Sequence, residues 1–166
     1  MLYTHVRGCI SVAIPEWYEG TKLVLRTGEG GNMIRVLVVD DHDFVREMVT
    51  RVLTAADGIQ VVGECCDGAE VPAMARSTSP DVVLMDVRMP VRSGIDATSE
   101  LMNTHPATRV VMLTGSVNPR IVAESAHAGA VGFLVKGVDK EHLIHAVRTV
   151  AAGGTAWPSD PLFAGR

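Results

Sequence analysis

Four of the five short apolar runs in this chain stop on a side chain able to do chemistry. VLVV runs into Asp40-Asp41, VVLM into Asp86, VVML into Thr114 and GFLV into Lys136, whereas the run around IQVVGE carries no such group. Between the runs, apolar residues recur at helical spacing, so strand and helix alternate along the chain. Alternation without hairpin signals requires a parallel sheet with helices on both faces. The carboxyl ends of parallel strands share one edge, where open α/β sheets bind ligands. Three carboxylates, a hydroxyl and an ammonium are therefore expected to converge on one polar pocket.

The strands are predicted at Ile34–Val39, Ile59–Glu64, Asp81–Met85, Arg109–Leu113 and Val131–Val135, and the helices at Asp43–Ala56, Gly68–Ser77, Ile95–Asn103, Pro119–His127 and Asp139–Ala152. Ile34–Val39 is β-branched with no polar alternation after Arg35, as suits a strand covered on both faces. In the first helix Phe44, Met48 and Val52, flanked by Val45, Val49 and Leu53, form a broad apolar stripe. Asp43 is its expected N-cap, which leaves Asp40-Asp41 without a structural task. Pro72 fits a helix only in the first turn.

At 166 residues the chain suffices for one ordinary domain, and 47% hydrophobic with 20% charged residues is a globular composition. A net charge of −4 without basic runs gives no reason to expect nucleic-acid binding. Cys9 and the adjacent Cys65-Cys66 match neither a disulfide framework nor spaced zinc ligands, so a reduced, cytoplasmic setting is expected. No apolar stretch reaches the roughly 18 residues of a membrane helix. Residues 1–32 hold three of the four Trp and Tyr side chains, lack clear periodicity and end in GEGGN. They read as a poorly ordered or accessory extension before a folded unit at 33–154, with 155–166 as a C-terminal tail.

Adjacent carboxylates repel: two unit charges about 4 Å apart cost roughly 4 kcal/mol at an effective dielectric near 20. A divalent ion removes that cost, and Mg²⁺ favours a few carboxylates, retained waters and a phosphate oxygen. Asp86, alone at the end of its strand and followed by the loop Val87-Arg88-Met89-Pro90, is expected to face outward as a nucleophile that accepts a phosphoryl group. Lys136 supplies a compact positive charge for phosphate, and Thr114 a hydroxyl donor. Movement of Thr114 toward the phosphate would leave room for an aromatic ring, and Phe133 is the candidate on that strand.

VLVVDDH with Val45-Arg46 beyond it, LMDVRMPVRSG, MLTG and GFLVKG occur in order, and over Met33–Gly154 the chain resembles receiver domains of two-component response regulators. DDHxxVR and AVRTVAAGG most resemble the subfamily that usually carries a LuxR-type helix-turn-helix. The resemblance implies a flavodoxin-like (βα)5 fold, a doubly wound five-stranded parallel sheet of order 2-1-3-4-5. It also implies Asp86 as phosphoacceptor, Mg²⁺ held by Asp40, Asp41, Asp86 and the backbone carbonyl of Arg88, and a relay through Thr114, Phe133 and Lys136. A histidine kinase or phosphotransfer protein would be the donor, and relatives pair through their first and last helices as homodimers. Phe133 departs from the frequent tyrosine, Gly137 from a frequent proline, and Arg88 sets a cation at the pocket mouth.

After Gly154 only TAWPSDPLFAGR follows, too short for a DNA-binding module, so the expectation is either a single-domain regulator acting by protein contact, the favoured reading, or a regulator whose output module has been cut off. It would be no enzyme beyond its own phosphorylation and dephosphorylation. A phosphatase would need a carboxylate two residues after the nucleophile, where Arg88 stands. The alternative is an interaction module indifferent to phosphorylation. Among single residues, His42 reads as a loop residue rather than a metal ligand, and Cys65-Cys66 as buried or half-buried side chains. Met48, Met74, Met85, Met102 and Met112 read as packing residues, and His142, Ala146 and Thr149 as a solvated face.

Overall fold

The computed structural model describes residues 33–115 and 118–158. The extension 1–32 and residues 159–166 lie outside the described residues. Strands β1 (Ile34–Val39), β2 (Ile59–Cys65), β3 (Val82–Asp86), β4 (Arg109–Thr114) and β5 (Gly132–Val135) form one parallel sheet in the order β2-β1-β3-β4-β5. Helices α1 (Asp43–Thr54), α2 (Val71–Thr78), α3 (Gly94–Thr104), α4 (Pro119–His127) and α5 (Lys140–Ala151) connect or follow the strands. The expected strand order and class hold.

Two apolar layers sandwich the sheet. Leu37, Val39, Val83, Met85, Met112 and Phe133 face the layer with α2, α3 and α4, whereas Val36, Val38, Leu84, Val111 and Leu134 face the layer with α1 and α5. Alternate residues serve opposite layers, which is why these strands read as continuous apolar runs. The second predicted helix divides into a 3-10 turn at Gly68–Glu70 and α2, with Pro72 in the first turn where its missing N–H is harmless.

Three packing expectations fail. Phe44 and Met48 on α1 are 73% and 50% exposed, because only the Val49 and Leu53 side of the stripe reaches the sheet. Ala146 is buried in the α5 core rather than part of a solvated face. His42, not Asp43, is the N-cap of α1, and Asp43 is already helical.

Parallel register brings the chemistry together. Val39 pairs with Met85, Asp86 with Leu113, and Thr114 with Val135, so Asp40, Asp86, Thr114 and Lys136 fall along one edge. Gly94 lets α3 start directly against β3: an added Cβ would run into the Asp86 carbonyl oxygen and come within 2.7 Å of Met85 Cγ. Gly94→Ala is expected to cost about 1–3 kcal/mol through overpacking. The check is a lower urea midpoint at an unchanged denaturant slope.

Candidate functional site

Asp40, Asp41 and Asp86 meet in the crevice between β1 and β3, where the strand order reverses. One carboxylate oxygen from each, with a ring nitrogen of His42, lies within 4.8 Å of the others. The Asp40 side chain is 1% exposed, and its Oδ1 accepts from the His42 amide at 2.9 Å. Asp40 thus has a structural role at the entry to α1, contrary to expectation. Its carbonyl accepts from Arg46 Nη1 at 2.7 Å, and its N–H donates to Cys65 O at 3.1 Å. Asp86 is buried, not facing outward, because the β3–α3 loop folds back over the strand end and Gly94 N–H donates to Val87 O at 3.0 Å.

Lys136 reaches into the crevice from β5. Its Nζ lies 2.7 Å from Asp40 Oδ2 and 2.8 Å from Asp86 Oδ2, while its backbone N–H donates to Thr114 O at 2.6 Å. Gly137, at φ +89°, turns the chain away immediately afterwards, and no cis peptide bond occurs among the described residues. Thr114, Arg88, Gly115, His42 and Lys136 line the cavity of about 300 Å³ that opens over Asp86. Thr114 is buried and Arg88 is exposed at the mouth. Phe133 is 1% exposed, with its ring inside the sheet layer. The side chains singled out in the sequence therefore share one edge.

Residues 36–148 match the family model described as the response regulator receiver domain. The chain belongs to the response regulator receiver family. It is 46% identical over 121 residues to the response regulator GacA of Pseudomonas viridiflava, covering 73% of this chain and 56% of that protein. The chain thus spans just over half the length of that curated relative. Among solved structures, the signal receiver domain of the putative response regulator NarL from Mycobacterium tuberculosis superposes with TM-score 0.71 at 35% identity, over 74% of this chain and 98% of that one. A LuxR-family two-component response regulator from Aurantimonas gives TM-score 0.73 at 32% identity, over 80% and 93%. The subfamily resemblance carried by DDHxxVR is borne out.

The charges at this receiver site do not balance. Burial is the largest influence on Asp86 and pushes its pKa up; the Lys136 hydrogen bond and charge pull it down, and Asp40 adds repulsion, leaving it raised. Burial also disfavours the Lys136 ammonium, but hydrogen bonds and attraction from Asp40 and Asp86 outweigh it and raise its pKa. Both pKa values are raised because the Lys136 ammonium lies between two acids, whereas the Asp86 carboxylate meets burial and the Asp40 charge with only a share of one ammonium. Three carboxylates against one ammonium leave a formal −2, the deficit a divalent cation fills.

Two supporting residues had no role assigned from the sequence, Arg46 standing there only as part of a motif. Arg46, buried on α1, holds the Asp40 carbonyl, pairs with Asp43 and lies 3.4 Å from Glu64. Asp67, also buried, accepts from Ala69 and Arg92 amides through Oδ1, at 2.9 and 3.0 Å, and from the Val91 amide through Oδ2 at 2.9 Å. It clamps the loop that carries Arg88. The only signal for Asp67 was its place before Gly68, an N-cap pattern.

The raised pKa of Asp86 sets a pH dependence. A carboxyl whose folded pKa lies above its unfolded value favours folding while protonated, and that contribution is lost as pH rises through the folded pKa. Asp86→Asn, which keeps the neutral shape, is therefore expected to stabilise the metal-free protein at pH 7 by on the order of 1 kcal/mol. The gain should vanish once pH falls below the ordinary carboxylate range, where wild-type Asp86 is protonated in both states. Urea unfolding of both proteins at several pH values checks it.

Proposed function

We propose that Asp86 accepts a phosphoryl group from the phosphohistidine of a histidine kinase or phosphotransfer protein, and that the receiver thereby controls partner binding or dimerisation. The observation that carries this reading is Lys136 Nζ held between Asp40 and Asp86 at 2.7 and 2.8 Å. A half-buried ammonium shared by two carboxylates beside a polar cavity is placed to receive a phosphoryl oxygen. In the transfer the P–N bond to histidine breaks and a P–O bond to an Asp86 oxygen forms. Thr114 donates its hydroxyl to one phosphoryl oxygen, and Lys136 follows the added charge of about −1.5 to −2.

The site fits a magnesium ion. Asp40 Oδ2 and Asp41 Oδ1 are sealed from solvent, with Lys136 Nζ 2.7 Å from the first and His42 Nδ1 2.8 Å from the second. Asp40, Asp41, Asp86 and the Arg88 carbonyl would hold Mg²⁺, which when bound neutralises the incoming phosphoryl charge. Phe133 is buried on the neighbouring strand, and Thr114 drawn toward the phosphoryl group would change the packing at its ring. Exposed Phe44 and Met48 on α1, beside α5, offer an apolar face for a homodimer. Among the described residues no helix is long and apolar enough to cross a membrane.

Incubation with Mg²⁺ and a small phosphodonor is expected to add one phosphoryl mass to the wild type and none to Asp86→Asn, read by intact mass. Mg²⁺ alone should raise the thermal midpoint, in proportion to the logarithm of its concentration above Kd. A wild type that gains no mass, or a variant that gains it at Asp86→Asn, refutes the assignment.

A further inference from the structure

Residues 155–157 run along the outer edge of β5. Ala156 forms a parallel bridge with Gly132: its N–H donates to Val131 O at 3.0 Å, and its carbonyl accepts from the Phe133 N–H at 2.8 Å. Side chains alternate as in a strand, with Ala156 packed on the α1 and α5 layer and half-buried Trp157 on the opposite layer, the one that contains Phe133. Gly132 allows the approach, since a Cβ there would lie 3.0 Å from both Cβ and O of Ala156. Upstream, Arg109 Nη2 donates to the carbonyls of Gly153 and Gly154 at 3.1 and 2.9 Å, so the turn after α5 is tied to the start of β4.

We infer that the strap 155–157 is a positioning element for Phe133, coupled to the state of the switch. The inference rests on the role proposed for Phe133. One of the strap's two ladder bonds ends on the Phe133 amide, while Met112 of β4 pairs with Phe133 from the inner side. The Phe133 backbone is therefore gripped from both edges, and its ring shares a packed layer with Trp157. Any rearrangement of the ring changes the packing of the strap. By linkage, loosening the strap changes the affinity of the site for a phosphoryl group.

Trp17 and Trp157 are the only tryptophans in the sequence, so Trp17→Phe leaves Trp157 as sole emitter in the full chain. With Mg²⁺ and beryllium trifluoride as phosphoryl mimic, acrylamide quenching of Trp157 is expected to fall, and not in a background of Asp86→Asn. Phosphodonor treatment followed by intact mass separates the two ideas. Gain of a phosphoryl mass with unchanged Trp157 quenching overturns the strap's role alone, whereas no gain removes the phosphoacceptor reading and the strap's role with it. Ala156→Pro, which deletes the donor to Val131 O, should raise the beryllium trifluoride concentration at half-saturation about fivefold by calorimetric titration. A purely structural strap would lower the thermal midpoint without moving half-saturation. That result, in a variant whose Trp157 emission shows the strap released, also overturns the proposal.

Discussion

The contact on which the rest of the molecule turns is the Lys136 ammonium shared by Asp40 and Asp86. It ties the end of β5 to the ends of β1 and β3, passing over β4 on the long stem of the lysine. A single positive charge shared with Asp40 leaves Asp86 incompletely compensated, as its raised pKa records. With Asp41 added, the crevice holds more negative charge than the protein can neutralise. Buried charges in that position are costly unless something else arrives. The folded state tolerates this imbalance in one acidic pocket with the Lys136 ammonium at its side.

That imbalance is affordable because the surrounding frame is rigid. β1 and β3 are covered on both faces, and Val36, Leu37, Val82 and Val83 are wholly removed from solvent. Past buried Val87 the loop after β3 has no such burial, so it is held by discrete polar contacts: Asp67 with the Val91 and Arg92 amides, and Gly94 against the strand end. On the β1 side Arg46 grips the Asp40 carbonyl. Geometry at the acids is thus set from both flanks, while Thr114, His42 and Arg88 line the open cavity between them.

Much of this was legible in the sequence for a simple reason. Strands buried on both faces appear as unbroken β-branched runs, and the residue ending each run must lie on the ligand-binding edge once the sheet is parallel. The fourth helix coincides with its predicted bounds because Pro119 at its start, an Asn118 cap and Gly129 at its end are local signals. What failed depends on distance or direction. A wide apolar stripe does not say which side meets the sheet, hence exposed Phe44 and buried Ala146. Asp67 finds two of its donors about 24 residues away in sequence, where no local pattern points. The burial of Asp86 follows from the fold-back of its loop, and residues 155–157 are too short a run for alternation to show.

Phe133 shows how one missing atom shapes the switch. A tyrosine there would have a hydroxyl to satisfy, and its outward and inward positions would differ in hydrogen bonding as well as packing. A phenyl ring has only burial at stake, worth about 1.5–3 kcal/mol for a large apolar side chain. The ring is accordingly buried, among Met112, Val122 and Ala130. The positions open to such a ring differ in packing alone. A change at Thr114 would therefore reach Phe133 through the packed layer around it and not through a hydrogen bond to the ring.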